Sequence, residues 1–197
     1  MIQAAYIIGK KKGSNPQIEF NRRGSNTMIR SFLLVLGLMG TGSVMAVQDC
    51  DFTIPETTPT ERFIDNGDST VTDKVTSLTW KRCAEGQAWD GTTCSTPGDA
   101  VSYTWSDALQ LNGGADWRLP NIKELVSIVE RSCYNPAINQ AIFPNPVFGF
   151  YWSSSTYAGD VSRAWATNML SGSSLNNQDK SPIPLNRNYV RLVRGGL

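Results

Sequence analysis

The sequence ADWRLPNIKELVSIV, residues 115–129, determines the predicted fold because an aromatic loop containing proline runs directly into an amphipathic helix. Asn121 is placed to cap the first turn of this helix. Glu124, three residues later, is placed to accept a hydrogen bond from the backbone N–H of Asn121. Pro120 lies just before the helix, where its missing N–H costs nothing. These residues predict a loop-to-helix junction that is fixed from both sides.

The helix that begins at this junction is predicted to extend from Asn121 to about Ser132. Its apolar side chains recur with the i, i+3, i+4, i+7 spacing of one helix face: Ile122, Leu125, Val126 and Val129. Its polar side chains fall on the opposite, solvated side: Lys123, Glu124, Ser127, Glu130 and Arg131. Because such a helix must pack on another element, five residues are interpreted as structural: Trp117, Arg118, Pro120, Asn121 and Glu124.

The chain ahead of this junction begins with a predicted export signal. Residues 28–46, MIRSFLLVLGLMGTGSVMA, combine a short basic start, an apolar run and small residues before a cut at Val47, as is typical of a signal peptide. The apolar run is too short and too rich in glycine to predict a membrane span. Residues 1–27 precede a second start at Met28, and they are interpreted as a misassigned beginning or an extended basic region of the signal.

Cleavage after residue 46 leaves 151 of the 197 residues, a length typical of one domain. Six of the 18 basic residues but only one of the 17 acidic residues precede the cut, so the mature chain carries 12 basic and 16 acidic residues, a net charge of −4. A protein of this sign has no general attraction to nucleic acid or anionic membranes. We therefore predict a periplasmic, cell-surface or secreted protein that binds neither nucleic acid nor anionic membranes. Its mature chain is predicted to have no membrane span.

The four cysteines all lie in the mature chain and predict two disulfides, because an even number is typical of exported proteins. Three pairings are open. We favour Cys83 with Cys94, which closes the loop CAEGQAWDGTTC on itself, and Cys50 with Cys133, which tethers the N-terminal segment to the end of the helix. A zinc site is the alternative, but the cysteine spacing lacks a close pair and the chain has no histidine.

The segments before the central helix predict a tail, a meander and a short helix. Residues 47–61, with two prolines and four threonines, have the composition of an extended tail. Residues 62–83 alternate short β-type runs with turn residues and predict three antiparallel strands. Thr104 is placed to cap a short helix that Gly113 ends.

The segments after the central helix predict strands again. Residues 135–142 are interpreted as a short helical turn beginning at Asn135-Pro136, and a loop follows. The predicted strands after that loop are residues 151–156, 163–170, 174–179 and 189–194. In the last of them, Val190 and Leu192 face one side and Tyr189, Arg191 and Val193 face the other. Strands, two helices and strands again predict an α+β domain with a mostly antiparallel sheet.

Five segments occur in the order seen in the Lcl C-terminal domain family: FIDNGDSTVTDKVTSLTWKRC, YTWSDALQL, DWRLPNIKEL, YWSSSTYAG and YVRLVRGG. The chain resembles that family, which is named for a bacterial collagen-like adhesin, over about residues 62–196. The resemblance implies a C-type-lectin-like domain at residues 62–197, with two main helices, long loops and disulfides. It also implies similarity to the formylglycine-generating enzyme domain, whose arginine-leucine-proline loop resembles residues 118–120 here.

Three features associated with these families are missing from the chain. It has no G-X-Y repeat, so adhesion through a collagen-like stalk does not carry over. The paired active-site cysteines of the formylglycine-generating enzyme are not recognisable. The EPN-type and WND-type triplets of calcium-dependent lectins are also missing. The resemblance therefore predicts the fold and leaves the ligand open.

The residue types argue against catalysis. Without histidine, the chain lacks the usual general base of serine and cysteine nucleophiles and the usual metal ligand. Carboxylate pairs remain, but each acidic residue near the helices has a structural interpretation: Asp107, Asp116, Glu124 and Glu130. We predict that the protein is not an enzyme and has no cofactor.

A calcium loop is the one metal site that the sequence suggests. Asp65, Asn66, Asp68 and Asp73 are closely spaced oxygen donors of the type that Ca²⁺ prefers. Asn66-Gly67 between two β-type runs is also a strong hairpin signal, and the same side chains satisfy turn N–H groups without an ion. We favour the hairpin and keep calcium as the alternative.

The aromatic residues divide into core and surface candidates. Trp80, Trp105, Trp117 and Trp165 lie in or beside regular elements and are assigned to the core. Trp89 lies in the Cys83 to Cys94 loop, and Trp152 borders the longest loop beside Tyr157. We interpret these last three residues as candidates for exposed ligand contacts.

The late hairpin supplies the remaining ligand candidates, Asn176, Asn177 and Asp179. Amide and carboxylate groups are matched donors and acceptors for sugar hydroxyls. We therefore predict an exported, non-catalytic binding module for carbohydrate or another extracellular surface ligand. The alternative is a structural or protein-interaction module in an envelope assembly.

Overall fold

The structure is a computed structural model that describes residues 47–95, 101–111, 114, 116–183 and 185–196. The predicted signal peptide, residues 28–46, and the preceding residues 1–27 lie outside these ranges, as does the predicted helix end at Gly113. The described residues form two short α-helices, α1 (Trp105–Gln110) and α2 (Ile122–Ser127), and a 3₁₀ turn at Thr60–Arg62. The strands, in chain order, are β1 (Asp49–Cys50), β2 (Phe63–Asp65), β3 (Thr70–Asp73), β4 (Leu78–Lys81), β5 (Ala88–Trp89), β6 (Cys94–Ser95), β7 (Cys133–Tyr134), β8 (Phe150–Thr156), β9 (Arg163–Asn168), β10 (Ser174–Asp179) and β11 (Val193–Gly195).

The strands are antiparallel, as predicted, but they form two main sheets and not one. The meander β2-β3-β4 is completed by the C-terminal strand in the order β11-β4-β3-β2. The later strands form a second sheet in the order β10-β9-β8. Two further strand pairs, β1-β7 and β5-β6, are two residues long on each side. Mostly antiparallel sheets, two helices and two disulfides confirm the α+β prediction.

The junction of residues 117–122 connects the two main sheets. Arg118 exchanges backbone hydrogen bonds with Val193, the first residue of β11, at 2.9 and 3.0 Å. Pro120 accepts a hydrogen bond from the backbone N–H of Ser154 in β8 at 2.8 Å. The capping box is present, because Asn121 Oδ1 accepts from the backbone N–H of Glu124 and the Glu124 carboxylate accepts from that of Asn121.

The Glu124 carboxylate also forms a bidentate ion pair with Arg118. The two N–O distances are 2.7 and 2.8 Å, and Arg118 donates a further hydrogen bond to the Gly195 carbonyl at 3.0 Å. Burial opposes ionisation of this carboxyl, but the bonds from Arg118 and Asn121 outweigh it and lower the pKa of Glu124. A single carboxylate therefore fixes both the helix start and the loop before it.

The core consists of two clusters of buried side chains. The first holds Leu125 and Ile128 of the α2 region with the meander residues Val71 and Trp80 and with Tyr151. The second contains Trp117, Leu119, Trp152, Ala164, Ala166, Val190 and Leu192. Trp80 and Trp117 are in the core as predicted, whereas Trp105 and Trp165 are only half-buried.

The central helix is shorter than predicted, because it ends at Ser127 and not near Ser132. Ile128 has φ −99° and ψ 5°, outside the α-helical region, and Val129 instead forms a β-bridge with Ile138. The prediction that Glu130 lies on the solvated side is also wrong, since only 3% of this residue is exposed. Tertiary contacts of the Glu130 carboxylate replace the next helical turn.

The Glu130 carboxylate fastens the N-terminal segment to the chain after α2. It accepts hydrogen bonds from the backbone N–H groups of Thr57, Thr58 and Ser132 at 2.7 to 3.0 Å, and from the Thr58 and Ser132 hydroxyls at 2.8 and 2.7 Å. No lysine or arginine in the described part of the chain forms an ion pair with it. Residues 47–61 are thus anchored at Thr58, which is fully buried, and are not simply an extended tail.

Two further sequence predictions are corrected. The helical turn expected at Asn135-Pro136 begins instead at Asn139, whose side chain accepts from the backbone N–H groups of Ala141 and Ile142. The strand predicted at residues 189–194 is instead the shorter β11 at Val193–Gly195, and Arg191 ahead of it is as fully buried as its neighbours Val190 and Leu192. The Arg191 guanidinium lies over the ring of Phe143, with 4.8 Å between Cζ and the ring centroid, and its Nη1 donates to the carbonyls of Lys81 and Arg82.

The two disulfides have the predicted connectivity. Cys83–Cys94 closes the loop that carries β5 and β6, and Cys50–Cys133 joins β1 to β7 across 83 residues of sequence. Among the described residues there is no free cysteine. The disulfide and the Glu130 bonds together hold the N-terminal segment against the chain that follows α2.

We expect Asn121→Ala to lower the free energy of unfolding by about 1 kcal/mol, because it removes one helix cap and leaves the apolar contacts of Leu125 and Ile128 in place. Chemical denaturation at neutral pH measures this change. Asn177→Ala is the matched control, since that amide is exposed and caps no helix. A loss above about 3 kcal/mol for Asn121→Ala would contradict a role limited to capping.

Candidate functional site

Trp165 lies in the middle strand β9 at the point where the register of both neighbouring strands shifts. On one side, Trp152 of β8 pairs with Ala166 and Thr156 pairs with Ala164, so three residues oppose Trp165. On the other side, β10 also has a bulge, in which two residues oppose Trp165. Bulges re-aim side chains and are enriched near functional sites.

The two residues of the β10 bulge are Asn176 and Asn177. Leu175 pairs with Ala166 and Gln178 with Ala164, which leaves both asparagines opposite Trp165. Asn177 is exposed and Asn176 is half-buried. A regular strand would place successive side chains on opposite faces, whereas the bulge sets both asparagines opposite Trp165 in the strand register.

Tyr157 provides the second aromatic ring of this surface. Its ring centroid lies 6.0 Å from that of Trp165, with an interplanar angle of 84°, an edge-to-face arrangement. Its backbone N–H donates to the carbonyl of Arg163 at 2.9 Å, which fixes Tyr157 at the beginning of β9. Both rings are half-buried, so each is anchored and still reachable.

Charged groups border the aromatic pair. Arg163 is two residues from Trp165 and therefore on the same face of β9, and it lies opposite Asp179 of β10 in the strand register. Arg163 Nε also forms an ion pair with Asp160 Oδ2 at 3.1 Å, and both side chains are nearly half exposed. Hydrogen bonds from Ser162, with the charge of Arg163, lower the pKa of Asp160. Hydrogen bonds from Ser181, together with the positive charge of Arg163, lower the pKa of Asp179.

We call this surface the Trp165 face and define it by six residues: Tyr157, Arg163, Trp165, Asn176, Asn177 and Asp179. Further along the same side of β9, Met169 packs in the core with Leu125 and Ile128. The α2 region packs on this sheet, and its first residue reaches the β8 bulge opposite Trp165, where the Ile122 backbone N–H donates to Ser155 Oγ at 3.0 Å; Trp165 itself remains half-buried. The result is a pair of aromatic rings surrounded by amide donors and acceptors, one cation and one carboxylate.

The structure brings together four of the predicted ligand residues and separates two. Tyr157, Asn176, Asn177 and Asp179 all belong to the Trp165 face. The expectation that Trp152 is an exposed contact is wrong, because only 1% of this residue is exposed and its Nε1–H donates to the Tyr103 carbonyl at 2.8 Å. Its position in β8 points the ring into the second core cluster.

Trp89 lies in a different part of the molecule, the β5-β6 hairpin of the Cys83–Cys94 loop. Its ring is half-buried and is covered on one face by the guanidinium of Arg82, with 4.9 Å between Cζ and the ring centroid. It lines a small cavity and does not contribute to the Trp165 face.

The four predicted calcium ligands serve the hairpin and its neighbours. Asp65 accepts from the Gly67 backbone N–H and pairs with Arg82, and Asp68 accepts from Thr70. The Asn66 amide bonds the hydroxyls of Thr70 and Thr72, while Asp73 is fully buried in an ion pair with Arg62. Within the described ranges, no group of three or more acidic, cysteine or histidine side chains is placed to hold a metal ion.

Sequence reasoning missed Trp165 and Arg163 as surface residues. The signal was present in the segment Arg163-Ala164-Trp165-Ala166, where the small residues Ala164 and Ala166 are the buried side of the strand. A charged residue two positions from Trp165 indicates that the opposite side is open. The two bulges, in contrast, have no signature that we can identify in the sequence.

The fold is thus that of a disulfide-containing α+β domain, with mostly antiparallel sheets and a polar, aromatic surface on one of them. The sequence pattern of the Lcl C-terminal domain family matches residues 69–194, and the chain belongs to that family. The matched range includes the junction of residues 117–122 and all of the Trp165 face. No curated protein and no solved structure matches the chain.

Proposed function

We propose that this protein is an exported, non-catalytic binding module that recognises carbohydrate through the Trp165 face. The observation that carries the proposal is the convergence of two accessible aromatic rings with two amides, one arginine and one carboxylate around the double bulge at Trp165. The C–H face of a sugar ring packs on aromatic rings, and its hydroxyl groups need both donors and acceptors. The Trp165 face offers all three kinds of contact.

The proposal also includes the type of fold. We infer a C-type-lectin-like domain from the family, the two short helices and the position of the late hairpin. In such a fold, the long loops and the late hairpin are where ligands are usually held. The Trp165 face includes the late hairpin β9-β10, which supports the assignment.

Export is supported by the disulfides of the chain. Both pairs of cysteines form disulfides, which persist in oxidising compartments and are rare in the cytosol. None of the described helices is long and apolar enough to cross a membrane. With the predicted signal peptide, the disulfides favour a periplasmic, cell-surface or secreted protein.

A second candidate function is that of a protein-interaction module in an envelope assembly. One observation favours it: Phe52, in the N-terminal segment, is 94% exposed, and Ile54 close by is also exposed. Both side chains lie beside a cavity of about 210 Å³ next to the Cys50–Cys133 disulfide. Exposed apolar groups of this kind are typical of protein contacts.

A glycan array probed with the exported full chain tests the carbohydrate proposal. We expect saturable binding to a subset of glycans, and a loss of about tenfold or more in affinity for the double variant Asn176→Ala/Asn177→Ala, because two sets of hydrogen bonds are removed. Gln110→Ala is the matched control, since it removes an exposed amide from α1. We expect a calcium chelator to have no effect, because the predicted calcium ligands are engaged in hydrogen bonds and ion pairs.

Two results would contradict this proposal. Equal glycan binding by the double variant and the parent would exclude the Trp165 face. Binding to no glycan, together with an envelope protein that co-purifies with the parent and is lost in Phe52→Ser, would establish the second candidate function.

A further inference from the structure

A polar cavity lies between the turn that joins β2 to β3 and the Cys83–Cys94 loop. Its volume is about 170 Å³, and its lining includes Ser69, Lys81, Cys83, Glu85, Gln87 and Trp89. This volume is below the range of roughly 300 to 1,000 Å³ that encloses drug-sized ligands. It therefore has room for a single small ring and not for an extended chain.

The walls of this cavity are held in place without a ligand. The Cys83–Cys94 disulfide closes the loop, and the backbone N–H of Glu85 donates to the Val190 carbonyl at 2.9 Å. The backbone N–H of Arg82 donates to the Ser69 carbonyl at 3.0 Å, which joins the loop to the meander turn. The cavity is thus preformed, and binding does not require ordering of its walls.

The polar groups in the cavity are arranged as a donor beside an acceptor. Lys81 Nζ lies 2.9 Å from Glu85 Oε1, and the two side chains are 30% and 19% exposed. The ammonium group has three donors, of which the carboxylate uses one, and the carboxylate has lone pairs left over. Adjacent hydroxyl groups on a ring match such a pair, because one accepts from the lysine while the other donates to the glutamate.

The charges at this site cancel, which bears on the class of ligand. Lys81 is neutralised by Glu85, and Arg82, whose guanidinium covers one face of Trp89, is neutralised by Asp65 at 2.5 Å. An anionic or cationic ligand would therefore find no unmatched charge of opposite sign among these groups. The Trp89 ring adds an apolar surface on the cavity wall. A neutral, polyhydroxylated ring fits all of these properties.

We propose that this cavity binds one uncharged pyranose residue, with the Lys81–Glu85 pair holding two adjacent hydroxyls and Trp89 contacting the ring. The cavity is a second sugar subsite, separate from the Trp165 face, and it selects a terminal residue because there is room for only one ring. This inference rests on the proposed carbohydrate function but depends on different residues.

A titration of the ¹⁵N-labelled full chain with neutral methyl glycosides tests the inference. The indole N–H signal of Trp89 is identified by its disappearance in Trp89→Phe. We expect at least one methyl glycoside to shift this signal saturably, and Glu85→Gln to weaken that binding about tenfold or more, because a charged acceptor is lost. Glu61→Gln, an exposed carboxylate elsewhere, is expected to leave the titration unchanged.

The outcomes separate this inference from the proposed function. A shift of the Trp89 signal that persists in Asn176→Ala/Asn177→Ala and is lost in Glu85→Gln would support a separate subsite. If no glycoside moves the Trp89 signal, or if Glu85→Gln binds as the parent does, the subsite is refuted. Array binding that still depends on Asn176 and Asn177 would then leave the proposed function intact.

Discussion

Replacing Trp117 by alanine is expected to lower the free energy of unfolding by about 3 to 5 kcal/mol, a large part of the stability of a typical domain. The ring is 9% exposed and packs in the second core cluster. Arg194 Cζ and Lys81 Nζ lie 4.8 and 5.6 Å from its centroid. Its removal would leave a cavity next to the loop that connects the two main sheets.

Thermal and chemical unfolding of the parent, Trp117→Ala and the surface control Asn177→Ala measure this effect. We expect the control to unfold as the parent does, because Asn177 is exposed in β10. The opposite result would exchange the roles of residues 117–124 and the Trp165 face. If Trp117→Ala unfolded like the parent and lost glycan binding that Asn177→Ala retained, residues 117–124 would be the binding site and the Trp165 face would be scaffold.

Glu130→Gln is expected to cost about 3 kcal/mol at pH 7 and to change the response of the protein to acid. Burial opposes ionisation of this carboxyl, but hydrogen bonds from Ser132, Thr57 and Thr58 outweigh it and lower the pKa of Glu130 from 4.5 to about 2. A shift of this size corresponds to about 3 kcal/mol of stability. Glutamine cannot accept at both terminal atoms, so several of these donors lose their partner.

The sign of the pH dependence follows from the lowered pKa. The ionised carboxylate stabilises the folded state above the unfolded pKa of 4.5, and this contribution is lost as the pH falls through about 2. The difference in unfolding free energy between parent and Glu130→Gln should therefore be constant from pH 7 to about 5 and nearly vanish by about pH 2. Denaturant titrations across this range measure it, with Glu61→Gln as the exposed control. A difference that does not change with pH would show that the charge of Glu130 is not what matters.

The local elements of this fold could be predicted because their signals are short in sequence. The Asn121 and Glu124 capping box, the Asn66-Gly67 hairpin and the Thr104 cap each depend on residues within four positions of one another. The disulfide between Cys83 and Cys94 is also a local feature, because the two cysteines are only 11 positions apart. In each case the hydrogen bonds or the closed loop are formed within one segment.

The features that could not be predicted depend on partners far away in the sequence. The end of α2 at Ser127 and the burial of Glu130 are determined by Thr57 and Thr58, more than 70 positions earlier. The placement of two asparagines opposite Trp165 depends on a bulge in β10, which the alternation of β9 alone does not show. Tertiary contacts of this kind override helix periodicity and strand alternation, which describe one segment at a time.

The Cys50–Cys133 disulfide has a mechanical consequence for a protein attached at its N-terminal end. A pulling force applied ahead of Cys50 passes through the covalent bond directly to Cys133, so the loop of residues 51–132 carries no tension along its backbone. Only the chain after Cys133 can lengthen under load, at no more than about 3.6 Å per residue. The meander strands β2 to β4 and the junction of residues 117–122 lie inside the bypassed loop, whereas the Trp165 face lies in the part that bears the force.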